Sequence, residues 1–334
     1  MGHEVTILHR GSHEVAFLQP VEHLHGDPHF EETLTATLGQ RSFDLVVGMY
    51  GRLRYVARVL RGRTQRFIAV GGLPYRAFVE GDRDPDGVPV PLPETAPLFQ
   101  DEERNRFTFL MALSERVVME AHEQGYYSAT IMRFPLIYGP RQLAPPEWSI
   151  IRRILDGRKH LIVPDGGLRL ERRGYVQNAA RAVLLAAGQP EASAGRIYNV
   201  ADDTILSLRD WINAIARRLG HQWELVSVPF WLARPTRPYA GRSHHRVLDI
   251  VKIQSQLGYT DEVPTWEAII RTVDWYLEHR PQQGDEVERQ LGDPFDYAVE
   301  DAIIRDFGDA TARIRDRASV GYSYRHPYDH PPGG

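Results

Sequence analysis

Short apolar runs alternate with amphipathic stretches through the first part of the chain. Four runs rich in β-branched residues predict strands: 5–8, 43–50, 66–72 and 128–140. Residues 52–62 place apolar side chains at helical spacing, and 101–125 predicts a long helix that is acidic at its start and ends at Gly125. Strands and helices in this alternation predict a doubly wound parallel sheet.

The pattern changes after residue 140. Residues 141–175 are rich in Arg, Pro and Gly, which predicts a segment that leaves the sheet. An Ala-rich helix and a strand are predicted to return to the sheet over 178–189 and 196–202. Further helices are predicted over 206–220, 252–279 (two helices around a turn) and 296–316.

Composition excludes several classes of protein. The chain has 334 residues, a formal charge of -4 and 42% hydrophobic residues, so we expect a cytoplasmic globular protein with no nucleic-acid partner. No apolar run approaches the roughly 20 residues of a membrane helix. The absence of cysteine excludes disulfides and thiolate chemistry. Of 40 basic residues only Lys159 and Lys252 are lysines, which limits where a catalytic lysine can lie.

Several segments together resemble the extended short-chain dehydrogenase/reductases, the NAD-dependent epimerase/dehydratase family. The segments that carry the resemblance are GHEVTILHRG (2–11), HGDPHF (25–30), FDLVVGMY (43–50), RFIAVGG (66–72), MRFPLIYGPR (132–141), DIVKIQSQLGY (249–259) and TWEAIIRTVDWYLEH (265–279). The resemblance implies a nicotinamide cofactor at the carboxyl edge of the sheet and a small-molecule substrate in a second lobe. It also implies a homodimer formed through long helices, one of them 101–125.

The resemblance also implies the domain organisation. We predict an α/β fold: a Rossmann-like, doubly wound parallel sheet with a smaller C-terminal substrate lobe. The Rossmann-like domain covers 1–140, with 176–202 returning to it. The substrate lobe covers 141–175 and 203–280, and a helical or irregular tail covers 281–334.

One departure from the family concerns the cofactor cradle. The family places glycines after its first strand so that backbone N–H groups reach the pyrophosphate. Here the first strand and the glycine loop are missing, and the chain starts at what resembles the second strand. Either the gene start is misplaced by about one strand–helix unit, roughly 25 residues, or the cradle is lost. We favour the first, because losing a central strand leaves open ladder edges.

A second departure concerns the proton-handling groups. The family uses a tyrosine as acid/base with a lysine one helical turn later, and these positions fall on Phe107 and Met111. The serine that polarises the substrate oxygen falls in the segment that offers Gly71 and Gly72. None of these side chains can exchange a proton.

The remaining candidates for cofactor binding follow predicted strands. Arg10 follows the strand that usually carries a ribose-binding acid, and an arginine there suits a 2′-phosphate, so NADP is preferred over NAD. Asp27 is predicted beside the adenine. Gly48, Gly71 and Pro135 complete the predicted cofactor-binding set.

Candidates for catalysis and substrate binding are tyrosines and arginines. Tyr50 ends strand four and Tyr75 follows strand five of the family order, where either can serve as a displaced acid, although packing is the favoured role. The predicted substrate-binding residues are Tyr138, Arg141, Trp148 and Arg173.

The stretch EHLHGDPH is a candidate metal site. It places His23, His25, Asp27 and His29 two residues apart, on one side of an extended chain. A strand end at the rim of the sheet is the favoured interpretation, and no metal is predicted.

These observations leave three functional hypotheses open. The first is an NAD(P)-dependent epimerase/dehydratase-like protein that acts on a nucleotide-sugar or a related polyol or carbonyl substrate with a non-standard active site. The second is a catalytically retired protein that binds a dinucleotide or metabolite and acts as a regulator. The third is a cofactor-free isomerase or lyase that uses the same cleft.

Overall fold

The computed structural model describes residues 2–11, 14–15, 17–49, 52–79, 87–241, 244–318, 321 and 327–328. Its strands are β1 (Thr6–His9), β2 (Glu22–His25), β3 (Phe43–Met49), β4 (Thr64–Gly71), β5 (Ser128–Arg133), β6 (Ile137–Tyr138), β7 (His160–Pro164), β8 (Leu170–Glu171), β9 (Gly174–Tyr175), β10 (Arg196–Asn199), β11 (Leu206–Ser207) and β12 (Glu224–Val228). Its helices are α1 (Glu31–Leu38), α2 (Leu53–Val59), α3 (Arg106–Glu123), α4 (Pro146–Leu155), α5 (Val176–Gly188), α6 (Pro190–Ser193), α7 (Leu208–Arg218), α8 (Arg237–Ala240), α9 (Val251–Leu257), α10 (Thr265–Glu278), α11 (Glu286–Leu291) and α12 (Tyr297–Ala318).

The central sheet has four parallel strands in the order β10–β5–β4–β3. Strand β4 lies inside it and is buried along most of its length, which explains its continuous apolar sequence. Helices α2 and α3 cover one face, and α5 and α9 contribute to the apolar cluster on the other. The predicted α/β fold with a doubly wound parallel sheet is confirmed.

Strands β1 and β2 form a separate parallel pair. Leu8 and Leu24 pack against the apolar cluster that α1 and α2 share with β4. Among the described residues no ladder joins β1 to β3, and a groove of about 1690 Å³ lies along both strands. Val5, Val47 and Met49 line this groove and are exposed.

Residues after 140 build a second apolar cluster. Helices α4, α7 and α10 pack together around Trp211 and Ile212, beside the parallel pair β7–β12. Helix α7 begins with a capping box, in which the Ser207 hydroxyl accepts the backbone N–H of Asp210 and the Asp210 carboxylate accepts that of Ser207. We call this part of the molecule, residues 141–175 and 203–318, the C-terminal lobe.

Helices α11 and α12 belong to this lobe rather than trailing from it. Asp293 and Glu300 are buried against Arg153 of α4. Isoleucines 303 and 304 pack on the cluster around Val228. In the part of the chain that the structure describes, no helix combines the length and apolarity that a membrane crossing requires.

Candidate functional site

The carboxyl ends of β4 and β5 lie side by side. Gly71 pairs with Arg133 in register, and the Gly71 carbonyl accepts the backbone N–H of Phe134 at 2.9 Å. A Cβ added at Gly71 would meet nothing within 4 Å, so the space beside this strand end is open. Gly71 and Pro135, two predicted cofactor-binding residues, are therefore brought to one edge, where parallel α/β sheets bind their ligands.

Gly48 differs from Gly71 because its surroundings are full. A Cβ at Gly48 would lie 2.7 Å from Cζ of Phe67 and 2.8 Å from Cδ1 of Leu53. Close packing of β3 against these side chains explains the glycine without a ligand. Its cofactor-binding role stays a prediction that this packing disfavours.

Tyr75 is fully buried behind the edge of the sheet. Its hydroxyl donates to Oδ1 of Asn199 at 2.5 Å and accepts from Nη1 of Arg133 at 2.8 Å. Burial raises the pKa of Tyr75 to about 12, so the phenol is a poor acid or base near neutral pH. Its catalytic role stays a prediction that this burial disfavours. The other candidate, Tyr50, lies outside the described residues.

Helix α3 is joined to the end of β5 by a buried ion pair. Nε and Nη2 of Arg133 donate to the two carboxylate oxygens of Glu115 at 2.8 and 2.7 Å. Met111 lies one turn before Glu115 and is partly buried, whereas Phe107 is 75% exposed. The side of α3 to which the resemblance assigns a tyrosine and a lysine thus holds an arginine–carboxylate pair and two groups without a titratable proton.

Arg10 and Asp27 follow the neighbouring strands β1 and β2. Arg10 is exposed. Oδ1 of Asp27 accepts the backbone N–H of His29 at 2.9 Å and lies 2.6 Å from Nδ1 of the same residue. These hydrogen bonds lower the pKa of Asp27, so it is an anion at neutral pH. The structure places both residues at the strand ends where the sequence predicts the adenosine half of the cofactor.

The histidines of β2 group differently from the sequence expectation. Asp27 and His29 pair with each other, while His23 and His25 lie beside His9 of β1. His9 was not among the sequence candidates, because its partners lie on another strand, 14 and 16 positions away.

Three predicted substrate-binding residues are buried, and Tyr138 and Trp148 share the apolar cluster of the C-terminal lobe. The Tyr138 hydroxyl donates to Asp202 at 2.8 Å, and the Trp148 indole N–H donates to Glu288 at 3.0 Å. Nη1 of Arg173 donates to Glu147 at 2.9 Å. These side chains are occupied by internal contacts, which disfavours direct binding of a substrate. Arg141 is exposed.

A carboxylate group at the carboxyl end of β10 was missed by sequence reasoning. Oδ1 of Asp202 accepts from the backbone of Tyr175 and the side chain of Asn178. Asp261 lies beside it, and its Oδ2 accepts the backbone N–H of Asp203 at 3.0 Å. Burial, with the nearby carboxylates of Asp202 and Asp203, raises the pKa of Asp261 to about 7. A carboxyl with such a pKa can donate or accept a proton at neutral pH.

A parallel sheet with an open carboxyl edge and a second lobe defines a Rossmann-like α/β protein. Residues 88–201 match the sequence model of the NAD dependent epimerase/dehydratase family. The resemblance to the extended short-chain dehydrogenase/reductases is therefore confirmed.

Relatives and solved structures agree with this family. The chain is 28% identical over 146 residues to dTDP-glucose 4,6-dehydratase of Streptomyces griseus (43% of this chain, 41% of the relative) and 26% over 172 residues to that of Streptomyces antibioticus (51% and 48%). The chain spans about half the length of the curated relatives it matches. A UDP-glucose 4-epimerase of Thermotoga maritima, solved with UDP-glucose, has the same fold at a TM-score of 0.66 and 16% identity, covering 84% of this chain and 93% of that one. A dTDP-glucose 4,6-dehydratase of Bacillus anthracis, solved with NAD, has a TM-score of 0.59 and 14% identity, covering 78% of this chain and 81% of that one.

Proposed function

We propose that the protein is an NAD(P)-dependent epimerase/dehydratase-like protein with a non-standard active site. Its substrate is a nucleotide-sugar or a related polyol or carbonyl compound. The observation that carries the proposal is the open carboxyl edge at Gly71 and Pro135, in the fold of a family whose named relatives act on nucleotide-sugars. Of these two residues, Pro135 lies within the segment that matches the family model. NADP is the preferred cofactor, because Arg10 supplies a cation at the ribose position.

The described residues fit the two ends of the cofactor better than its middle. Arg10 and Asp27 suit the adenosine half, and the open edge at Gly71 suits the nicotinamide. Among the described residues no group is assigned to the diphosphate, because the resemblance matches no segment of this chain to the family's first strand and its glycine loop. No reaction step is therefore assigned to the cofactor.

Asp261 is our candidate for the proton-handling group. Two observations support this choice. The positions that the resemblance assigns to the tyrosine and lysine hold Phe107 and Met111. Asp261 lies next to Asp202 and Asp203 at the carboxyl end of β10. Its partly buried carboxyl is suited to proton transfer at neutral pH.

Titration of the purified protein with NADPH and NADH tests the cofactor assignment. We expect NADPH to bind more tightly, and Arg10→Ala to weaken NADPH about tenfold while leaving NADH unchanged, since one charge-assisted contact is worth about 1.4 kcal/mol. Equal weakening of both dinucleotides contradicts the placement of Arg10. Arg41→Ala, which changes another exposed arginine of the N-terminal region, is the control.

Turnover with UDP- and dTDP-linked sugars tests the active site. We expect Asp261→Asn to abolish turnover and Tyr75→Phe to preserve it. Loss of turnover in a folded Tyr75→Phe variant, with Asp261→Asn still active, would return the acid/base role to Tyr75.

The second candidate is a catalytically retired protein that binds a dinucleotide or metabolite as a regulator. The exposed Phe107 and the partly buried Met111 favour it, because neither exchanges a proton. Tight dinucleotide binding without turnover of any nucleotide-sugar supports this candidate. The double substitution Phe107→Tyr and Met111→Lys then creates activity only if cofactor and substrate still bind correctly. A cofactor-free isomerase or lyase is supported if turnover persists without any dinucleotide.

The homodimer implied by the resemblance stays a prediction.

A further inference from the structure

Three histidines share one face of the β1–β2 pair. His9 pairs with His25 in register, and His23 precedes His25 by two residues. Side chains two apart on a strand lie on the same face, and a register partner on the neighbouring strand shares that face. The opposite face carries Leu8 and Leu24, which pack on the apolar core. The histidine face is only partly covered: His9 and His23 are half-buried and His25 is exposed.

The ring nitrogens of these histidines converge. Nε2 of His9 lies 2.8 Å from Nδ1 of His23, and one nitrogen from each of the three rings lies within 4.8 Å of the others. The backbone N–H of Gly11 donates to Nδ1 of His9 at 3.0 Å. In the neutral ring the His9 proton therefore sits on Nε2 and is donated to His23.

His25 has a carboxylate on its outer side. Its Nε2 lies 2.9 Å from Oε1 of Glu14. A carboxylate only accepts, so Nε2 of His25 carries the proton and Nδ1 keeps its lone pair. A carboxylate behind a histidine is the arrangement that orients imidazole ligands in metal sites.

We propose that His9, His23 and His25 bind one divalent transition-metal ion, with zinc as the best match. Zinc binds imidazole nitrogens at about 2.0–2.1 Å in a tetrahedral arrangement. The three ring nitrogens lie within 4.8 Å of one another, so all three can bind one ion. The fourth position of the tetrahedron is left for water. The ion replaces the proton shared by His9 and His23. The His9 proton then moves to Nδ1, and the Gly11 N–H turns away.

The site joins two short neighbouring strands. Each strand has four residues, and an isolated two-stranded sheet is marginally stable in water. An ion bound by His9 of β1 and by His23 and His25 of β2 crosslinks the pair. Binding to the folded state alone stabilises that state by mass action.

Zinc binding by the full-length, tag-free protein tests the proposal. After equilibrium dialysis, we expect one zinc per chain by elemental analysis. Replacement of zinc by Co²⁺ should give the intense visible absorption of a tetrahedral site. We expect His23→Ala or His9→Ala to weaken binding by more than the roughly tenfold effect expected of Glu14→Gln. The matched controls are His29→Ala, which changes the histidine paired with Asp27, and His160→Ala on β7.

Two results would overturn the proposal. One is zinc binding of unchanged affinity in the triple variant His9→Ala, His23→Ala, His25→Ala, and the other is no binding to the unaltered protein above the level of that variant. Circular dichroism checks that the variants fold. If they do not, amide hydrogen exchange of the unaltered protein decides the matter: zinc should slow exchange in 6–9 and 22–25, and unchanged exchange at saturating zinc contradicts the site.

Discussion

The N-terminal strand pair and the C-terminal lobe use the same charged residue types in opposite ways. In the strand pair, Arg41 and Glu22 meet at 2.7 Å with nearly half of each side chain exposed. In the lobe, Arg153 lies between Asp293 and Glu300 with all three side chains almost completely buried. Exposed pairs are weak because water solvates both charges, whereas buried charges depend on their partners. Both are arginine–carboxylate pairs, so their burial, and not their residue types, decides how much each contributes to the stability of the fold.

The geometry around Arg153 shows how the buried charges are satisfied. Nη1 and Nη2 donate to the two oxygens of Asp293 at 2.6 and 3.0 Å, and Nη2 also donates to Glu300 at 2.5 Å. Nη1 reaches the Ser149 carbonyl of its own helix at 2.9 Å. This network joins α4 to α12 and to the loop before it, so the segment that the sequence suggests as a tail packs on the lobe.

The largest effect is expected from breaking this network. Arg153→Met should lower the free energy of unfolding by about 3–5 kcal/mol, because it leaves two buried carboxylates without their cation. Urea denaturation followed by circular dichroism measures the loss. Arg305→Met, which removes an exposed pair with Asp306, should cost less than about 0.5 kcal/mol.

A compensated variant sharpens the same comparison. Adding Asp293→Asn and Glu300→Gln to Arg153→Met removes the uncompensated charges, so part of the lost stability should return. If Arg153→Met costs no more than its exposed control, the network does not hold the lobe together.

A smaller effect is expected at the joint between α4 and α11. Oε1 of Glu288 accepts from the Trp148 indole at 3.0 Å and from Arg152 at 2.6 Å, and its Oε2 accepts the Gly284 N–H at 2.8 Å. Glu288→Gln should lower the free energy of unfolding by about 1–3 kcal/mol. The glutamine amide has no charge, and its NH2 group would face an N–H donor where a carboxylate oxygen now accepts. Thermal or urea unfolding measures it against Glu278→Gln, an exposed position on α10. Equal stability of the two variants contradicts the role of Glu288.

The stability of the lobe should also depend on pH through Asp261, and it should fall as the pH rises, opposite to the usual effect of a carboxylate. The pKa of its carboxyl is about 7 in the folded protein and near 3.8 when unfolded. The folded state therefore holds the proton more tightly, and stability falls as pH rises from about 4 to 7. Asp261→Asn carries no such proton, so its stability relative to the unaltered protein should rise between pH 5 and pH 8. A difference that is the same at both pH values contradicts the assignment.

The smallest effect is expected in the strand pair. Hydrogen bonds from Arg41 and Thr6 lower the pKa of Glu22, so this carboxylate stabilises the fold above its ordinary pKa and loses that contribution as pH falls. Because the group is exposed, Glu22→Gln should leave the urea midpoint at pH 7 close to that of the unaltered protein. A loss comparable to that of Arg153→Met would show that the two regions are stabilised alike.

Regular elements were predictable where a periodic pattern carries them. The apolar runs 43–50 and 66–72 match β3 and β4, and the two helices predicted over 252–279 match α9 and α10. The helix predicted from 101 begins instead at Arg106, because the Asn105 side chain accepts the N–H of Thr108 and caps it there. An acidic stretch resembles a first helical turn, and only the cap decides where the turn starts.

Contacts between distant segments were not predictable. The pairing of Arg153 with Asp293 and Glu300 leaves no periodic trace, since each partner looks like an ordinary charged residue. The same holds for His9, whose neighbours become visible only when β1 and β2 are in register. Burial of Tyr138 and Trp148 was missed for a related reason: aromatic and polar residues near a predicted cleft resemble ligands until the packing around them is known.

The sequence separation within the Arg153 network also sets an order of events during synthesis. Glu300 follows Arg153 by 147 residues. At about 5–20 residues per second, a ribosome needs roughly 7–30 s to cover that distance. During this time the guanidinium of Arg153 has no acidic partner, and we expect it to stay solvated by water. We therefore expect the lobe to close only when nearly the whole chain has emerged, well after the central sheet has all of its strands.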